Sequence, residues 1–188
     1  MLVDELPILR RQNVKSILDL GCGAGRNCLF LAKKGFSLSS IDISGSALRM
    51  TNAWIHKEKL TNVALTRGTM TTLPFNDGCF DMVISISVIH HALKKDIEKI
   101  IAEVYRILKK NGIFFTNVAS IEDPRYGEGK EVEENTFRIL EAFEDKRFEE
   151  LHHFLTQQEI SDMFACFGKI DVELLKEEPH YWKITAIK

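Results

Sequence analysis

Residues 16–26 read SILDLGCGAGR, a short apolar run followed by a turn that contains three glycines. The segment Ser16 to Leu20 is predicted to be a buried strand, because its apolar run is too short for a helix and ends at a glycine. Glycines in such a turn let the chain bend sharply and let bare backbone approach a ligand. Since the helix-forming segment Asn27 to Lys34 follows, the turn leads into a helix N-terminus, whose free N–H groups favour an anion.

The spacing of the glycines distinguishes between the ligands that such a turn can hold. The dinucleotide-binding pattern is G-x-G-x-x-G, whereas this chain has Gly21, Gly23 and Gly25 followed by Arg26. The third glycine comes one residue early, and a bulky arginine stands where close helix packing favours glycine. The turn is therefore better suited to a small anion, such as an amino acid carboxylate, than to a pyrophosphate.

The segment Ile17 to Gly25 resembles the first motif of the class I S-adenosylmethionine-dependent methyltransferases, (I/L)LD(L/V)GCGxG, and matches it completely. The resemblance implies a Rossmann-like, doubly wound α/β fold: a three-layer sandwich with a seven-stranded, mostly parallel sheet and an antiparallel last strand. It implies S-adenosyl-L-methionine as cofactor, with Asp19 holding the methionine amino group directly or through water. A role for the glycines in the turn alone would leave Asp19 unexplained. The cofactor-binding residues expected are Asp19, Gly21, Cys22, Gly23, Gly25, Asp42, Ile43, Thr69, Met70 and Ser87.

The second predicted strand, Phe36 to Ile43, carries an acidic residue, Asp42, at its end. A carboxylate at this place can accept hydrogen bonds from both vicinal hydroxyls of a ribose. The alternative is that Asp42 caps the next helix, a role that Ser44 could fill instead. Ribose binding is favoured because the glycine turn and the acid occur in one βαβ unit. The resemblance then places Ile43 against the adenine.

The segment Gly68 to Phe75 resembles the family's G-D-x-x-x-L-P-F motif, with one departure. Thr69 stands where the family usually has an Asp that binds the adenine amino group. A threonine hydroxyl can accept one hydrogen bond, and the Met70 backbone N–H can reach a ring nitrogen. The departure removes a charged acceptor. The Met70 side chain could line the adenine pocket or fill the core.

The fourth predicted strand, Phe80 to Ser87, is nearly apolar, as a central parallel strand covered on both faces should be. It leads to His90 and His91, at the sheet edge where ligands bind. An imidazole there could take a proton from a hydroxyl or amine acceptor, so both are candidate catalytic residues. The alternative is that one histidine packs under the cofactor while the other bonds a backbone carbonyl. It is favoured because methyl transfer needs little beyond alignment and desolvation. The stretch ISISVIHH is similar to methyltransferases that act on tRNA wobble uridines, and the wider segment to those acting on ubiquinone precursors.

Residues 120–155 interrupt the alternation of strands and helices and are the candidate substrate lid. Between Glu122 and Glu150 there are eleven acids against five bases, a balance that disfavours RNA and suits a cationic or neutral small molecule. Pro124 and the glycines at 127 and 129 oppose regular structure at its start. Candidate pocket residues are Tyr126, Phe137, Phe143, Phe148, His152 and His153. The histidine pair lacks further ligands at defined spacing, so no metal site is predicted.

The remaining elements predicted are a helix over Asp96 to Lys110, stopped by Asn111–Gly112, and a fifth strand over Ile113 to Val118. A last helix opens at Thr156 with a capping box to Glu159. Two terminal strands, Lys169 to Lys176 and Tyr181 to Ile187, are expected to pair as a hairpin. Helical turns within Met1 to Val14 are also expected.

Composition sets the limits of these hypotheses. A chain of 188 residues with a net charge of −2 fits a single domain, 1–188, with no general attraction to nucleic acid. Its apolar runs are far shorter than the ~18 residues of a membrane span, and its start lacks the layout of a signal peptide, so a cytoplasmic protein is expected. The four cysteines form no C-x-x-C pair, which argues against zinc and disulfides. Cys22 is expected to be small and backbone-tolerant rather than nucleophilic.

These patterns together predict direct transfer of a methyl group from S-adenosylmethionine to an acceptor, most simply a small molecule. Three alternatives stay open: a tRNA wobble-uridine methyltransferase, a cofactor-binding subunit that activates a partner, and a nicotinamide-dependent oxidoreductase, whose glycine spacing is absent. The sequence decides neither the acceptor nor the oligomeric state.

Overall fold

The computed structural model of the chain describes residues 13–143, 146–176 and 180–188. The expected helical turns within Met1 to Val14 lie almost wholly outside these residues, and so does the side chain of Phe143. The strands are β1 (Ser16–Leu20), β2 (Ser37–Asp42), β3 (Val63–Arg67), β4 (Phe80–Ile86), β5 (Leu108–Ala119), β6 (Lys130–Glu133), β7 (Thr136–Phe143), β8 (Lys146–His153), β9 (Lys169–Leu175) and β10 (Tyr181–Ile187). The helices are α1 (Arg26–Lys33), α2 (Gly45–Lys57), α3 (Lys94–Ile107) and α4 (Gln157–Met163).

The main sheet has seven strands in the order β3-β2-β1-β4-β5-β10-β9. Neighbours from β3 to β5 are parallel, and the last strand of the chain, β10, is antiparallel to both β5 and β9. The predicted fold class and terminal hairpin are confirmed. The strand order reverses direction between β1 and β4, which opens a crevice beyond their C-terminal ends, the usual ligand site of such a sheet.

Two hydrophobic cores cover the two faces of this sheet. Neighbouring residues of β1 show the division, because Leu18 belongs to the core that contains α3, whereas Ile17 belongs to the core that contains α1. The α3 stripe that the sequence predicts is buried as expected, and its members are Ile97, Ile100, Ile101 and Val104. Helices thus pack on both faces of the sheet. The crevice lies beyond the C-terminal ends of β1 and β4, where it stays open.

The helix α3 ends earlier than its sequence pattern predicts. It stops at Ile107, and Leu108 is already extended with φ −71° and ψ 138°. Leu108 is fully buried and pairs with Phe80, so it serves β5 rather than a further helical turn. Asn111–Gly112 therefore lies within β5, where Asn111 has a positive φ of 61°.

The segment 120–155 forms a second sheet of three antiparallel strands in the order β6-β7-β8. Residues before β6, which include Pro124 and both glycines, have no helix or strand, as predicted. The sheet packs on the end of β5 through a small apolar cluster of Ala119, Phe137, Ile139 and Phe154. The inserted segment is therefore fixed beside the C-terminal end of the main sheet.

The last helix begins as its sequence predicts. The Thr156 side chain accepts a hydrogen bond from the Glu159 backbone N–H, and the Glu159 carboxylate accepts one from the Thr156 N–H, which completes a capping box. Among the helices that the structure describes, none is both long and apolar enough to cross a bilayer.

Candidate active site

The glycine turn after β1 has the backbone that its sequence requires. Gly21, Gly23 and Gly25 have φ values of 73°, 52° and 84°, the left-handed region that side chains disfavour. A Cβ on Gly21 would lie 2.3 Å from Val88 Cγ1, and one on Gly25 would lie 2.6 Å from Thr51 Cγ2. A Cβ on Gly23 would meet nothing within 4 Å. Two of the glycines therefore serve packing, whereas Gly23 faces open space.

Asp19 lies beneath this turn and is 1% exposed. Its Oδ2 has no hydrogen-bond partner among the described residues. Burial raises the pKa of Asp19 to about 7, against an opposing hydrogen bond from the Cys28 backbone. A buried carboxylate oxygen without a partner is costly, so a cation or a water at this place would stabilise it.

Asp42 ends β2 and braces the glycine turn. Its Oδ2 accepts a hydrogen bond from the Gly23 N–H at 2.7 Å, and its Oδ1 accepts one from the Ser44 N–H at 2.8 Å. The cap of α2 is Ser44, whose hydroxyl accepts from the Ala47 N–H at 3.2 Å. Each carboxylate oxygen keeps a further lone pair, so Asp42 can still accept hydrogen bonds from a ligand.

A cavity of about 500 Å³ opens beside these residues. At one end its wall contains Gly21 and Asp42, together with Ile43, Thr69 and Met70. Ile43 is 66% exposed, a large apolar surface that a flat aromatic ring could cover. Five of the residues predicted to bind cofactor thus meet on one wall.

The other end of the cavity is built from three separate parts of the chain. His91 follows β4, Asp96 and Ile100 lie on α3, and Glu150 and Leu151 lie on β8. Except for His91, the sequence identified none of these as site residues. Nothing in the local sequence marks Asp96, at the start of a helix, or Glu150, late in a strand, as a site residue.

Six of the predicted site residues do not lie on this wall. Asp19, Cys22, Gly23 and Gly25 belong to the glycine turn or the strand before it, and Ser87 and His90 follow β4. Burial raises the pKa of the Cys22 thiol well above its usual range, which keeps it protonated and unreactive.

Ser87 marks the sharp end of β4 and has a φ of 57°, unusual for a residue with a side chain. Asn117, at the same level of β5, holds it there. The Asn117 Oδ1 accepts a hydrogen bond from the Ser87 N–H at 2.7 Å, and its Nδ2 donates to the Ser87 hydroxyl at 3.1 Å. Ser87 thus turns the chain toward the two histidines.

The histidines after β4 differ in access to the cavity. His90 is fully buried behind the wall, whereas His91 lies on it. The His91 Nδ1 lies 3.1 Å from the Leu151 carbonyl oxygen. Donation to that oxygen fixes the tautomer in which Nε2 keeps its lone pair. None of the described lid residues predicted to line the pocket is part of the wall, namely Tyr126, Phe137, Phe148, His152 and His153.

Comparison with known proteins places the motif region in a family. Residues 18–116 match the family model described as a methyltransferase domain. The chain is 34% identical over 113 residues to an arsenite methyltransferase from Aquipseudomonas alcaligenes, covering 54% of this chain and 32% of that protein. It is 33% identical over 105 residues to ajmaline N-methyltransferase from Rauvolfia serpentina, covering 55% of this chain and 35% of that one. The chain thus spans about a third of the length of these relatives.

The fold has a counterpart among solved structures. A protein described as a SAM-dependent methyltransferase from Methanosarcina mazei superposes with a TM-score of 0.80 at 23% identity, covering 97% of both chains. The similarity extends over the inserted sheet as well as the main one, because so much of each chain is covered.

Proposed function

The chain belongs to the methyltransferase domain family, the class I S-adenosylmethionine-dependent methyltransferases, and we propose that it transfers the methyl group of that cofactor to a small-molecule acceptor. The cofactor supplies an electrophilic methyl on a sulfonium, and direct attack by the acceptor forms the new bond as the bond to sulfur breaks. The residues of the chain then need to bind both molecules, align them and exclude water.

The observation that carries this proposal is the pairing of Asp19 and Gly23 at the glycine turn. Asp19 offers a buried oxygen without a partner among the described residues, and Gly23 leaves open space where another residue would carry its side chain. The first suits the amino group of a methionine tail and the second leaves room for its carboxylate. The residues present therefore fit an amino acid tail at the place where the family's first motif holds one.

The remaining cofactor contacts follow along the cavity wall. Asp42 would accept hydrogen bonds from the ribose hydroxyls through the lone pairs that Gly23 and Ser44 leave free. Ile43 and Met70 would cover the adenine, with Thr69 accepting from its amino group. Thr69 is exposed, and its hydroxyl has one hydrogen bond among the described residues, from the Thr71 hydroxyl at 3.4 Å. Its side chain can therefore turn toward a ligand.

The acceptor would enter at the opposite end, between His91 and β8. Three acids line the cavity, Asp42, Asp96 and Glu150, and none of its lining residues within the described part of the chain is Lys or Arg. Such a wall favours neutral or cationic molecules over a phosphate backbone. The arsenite and ajmaline methyltransferases, both named for small acceptors, support the same class of substrate. His91 is the histidine placed to contact the acceptor.

Two measurements test the proposal in sequence. Calorimetry with S-adenosylhomocysteine should give one binding event per chain. Transfer of a labelled methyl group should then be followed with a panel of small amines, thiols and phenols, with bulk tRNA in parallel. Binding together with labelling of a small molecule would support the proposal. Absence of cofactor binding would contradict the proposal. Labelling of tRNA alone would show that the acceptor is a nucleic acid and not a small molecule.

A further inference from the structure

Three histidines from two distant parts of the chain meet beside the cavity. His90 and His91 follow β4, and His152 comes from β8. One ring nitrogen of each lies within 4.8 Å of those of the other two, the only such group among the described residues. We propose that His90, His91 and His152 bind a divalent transition-metal ion of the Zn²⁺ class between the inserted sheet and the loop after β4.

The first argument is the unsatisfied state of the imidazoles. His90 and His152 are 0% and 2% exposed, and neither has a hydrogen bond to any ring nitrogen within the described part of the chain. Each buried polar group left without a partner costs about 1–3 kcal/mol. The His152 Nε2 has the Glu141 carboxylate 3.0 Å away. The other three ring nitrogens, both of His90 and Nδ1 of His152, are in an unfavourable state unless something polar binds to them. A metal ion satisfies several nitrogens at once.

The second argument is the close approach of the three rings. The ring centroids of His90 and His91 lie 4.2 Å apart, those of His91 and His152 lie 4.5 Å apart, and those of His90 and His152 lie 5.9 Å apart. Imidazoles this close together can bind one ion in common.

The third argument is the set of carboxylates and acceptors around the three rings. Glu141 Oε1 lies 3.0 Å from His152 Nε2, and Glu150 Oε2 lies 4.0 Å from it and 3.6 Å from His91 Nδ1. Metal-bound histidines usually have the second ring nitrogen next to a carboxylate or a backbone carbonyl, as His152 has Glu141 and His91 has the Leu151 carbonyl. Glu150 lies beside the same two nitrogens and adds negative charge on the outer side of both rings.

The geometry requires only a small adjustment. A tetrahedral zinc site with Zn–N bonds of about 2.0–2.1 Å separates its nitrogens by about 3.4 Å. The three nitrogens are at most 4.8 Å apart, so side-chain rotations of roughly an ångström would close the site. The two backbone segments that carry the histidines already contact each other, because the His153 N–H donates to the His90 carbonyl at 2.8 Å.

The position of the three histidines indicates what a bound ion would do. Since His91 lies on the cavity wall, a bound ion would sit at the acceptor end, where three histidines leave a coordination position open. An acceptor hydroxyl or thiol bound there would lose its proton more readily and become a better nucleophile. This role depends on the proposed methyl transfer, whereas binding of the ion does not.

Spectroscopy and calorimetry of the full chain test the site without any methyl transfer. After treatment with a chelator, the protein is titrated with Co²⁺ and with Zn²⁺. We expect one ion to bind per chain. The visible absorption bands of bound Co²⁺ should be as intense as those of a tetrahedral site. His152→Gln and His91→Gln should each weaken binding by at least about 100-fold, since each removes a ligand. His56→Gln, which changes an exposed histidine, should leave binding unchanged.

Binding of S-adenosylhomocysteine serves as the control for folding and separates the two proposals. A His152→Gln variant that keeps wild-type affinity for this ligand and loses cobalt supports the metal site. Equal cobalt binding by wild type and His152→Gln, or no cobalt binding by folded wild type, would overturn it. If the wild type binds cobalt but not S-adenosylhomocysteine, the metal site stands and the proposed function fails.

Discussion

The two ends of the cavity are built in different ways. The proposed cofactor end takes its wall from residues that follow β1, β2 and β3, between Gly21 and Met70. The proposed acceptor end combines the loop after β4 with α3 and with β8, so His91 meets Leu151 across 60 residues of sequence. The first end depends on backbone conformation at strand ends. The second depends on side chains that only tertiary packing brings together.

This difference explains why one end has a recognisable motif and the other has none. A turn that presents its backbone to a ligand tolerates few residue types, because a Cβ collides or the φ is unfavourable. A cavity wall made of side chains on an added sheet tolerates many residue types. The fold can therefore keep one cofactor while the acceptor changes.

Substitution of Gly21 by Ala should have the largest effect, and it tests the dependence on backbone. The new Cβ would lie 2.3 Å from Val88 Cγ1 at a φ of 73°. Left-handed backbone costs about 1–2 kcal/mol and overpacking about 1–3 kcal/mol, so we expect a loss of about 2–5 kcal/mol in the free energy of unfolding. Urea denaturation measures it.

Gly35→Ala is the matched control for that substitution. Gly35 also has a positive φ, 92°, but a Cβ there would meet nothing within 4 Å. Its cost should be about 1–2 kcal/mol, from the backbone alone. Equal losses for the two variants would show that packing against Val88 does not constrain the turn.

Asp42→Asn should have the next largest effect and should act on one end of the cavity only. The change removes the charge that accepts from Gly23 and Ser44 and, by our proposal, from a ribose. Hydrogen bonds to a charged group contribute about 1.5–3 kcal/mol, so affinity for S-adenosylhomocysteine should fall about 10-fold to 100-fold. Cobalt binding by the three histidines should not change. A parallel loss at both sites would mean that the ends are coupled.

Asp19→Asn should change how stability depends on pH. Burial raises the pKa of Asp19 from 3.8 to about 7, so the folded state holds a proton between about pH 4 and 7 that the unfolded state releases. Stability therefore falls as pH rises through this window, by at most roughly 1.4 kcal/mol per pH unit from this group. Asn at this position has no proton to lose. Urea denaturation at several pH values should show a shallower slope for the variant, and identical slopes would contradict the assignment.

Much of the main sheet could be predicted because its signals are local. The apolar run before Gly21, the acid at the end of β2 and the capping box at Thr156 each lie within a few residues of the structure they specify. The strands β7 and β8 were not predicted, because the apolar residues Leu140 and Phe148 lie on exposed positions. They obscure the alternation by which Phe137 and Ile139 are buried and Arg138 is exposed.

The acceptor end could be predicted only in part, for a related reason. His90 and His91 stand out at the end of a buried strand, and His152 stands out as one of a pair. No spacing rule joins them, because β8 reaches them only through its pairing with β7 and its packing beside β5. The absence of a metal motif in the sequence therefore says little about ligands that the tertiary fold assembles.

Phe148→Ser should have the smallest effect, and it locates the boundary of the acceptor end. Phe148 lies on β8 two residues before Glu150, yet it is 44% exposed and does not line the cavity. Substitution of an exposed residue usually changes the free energy of unfolding by less than about 0.5 kcal/mol. Affinities for S-adenosylhomocysteine and for cobalt should both equal those of the wild type. A weaker affinity for cobalt alone would instead place Phe148 in contact with the histidine group, and the acceptor end would then extend further along β8.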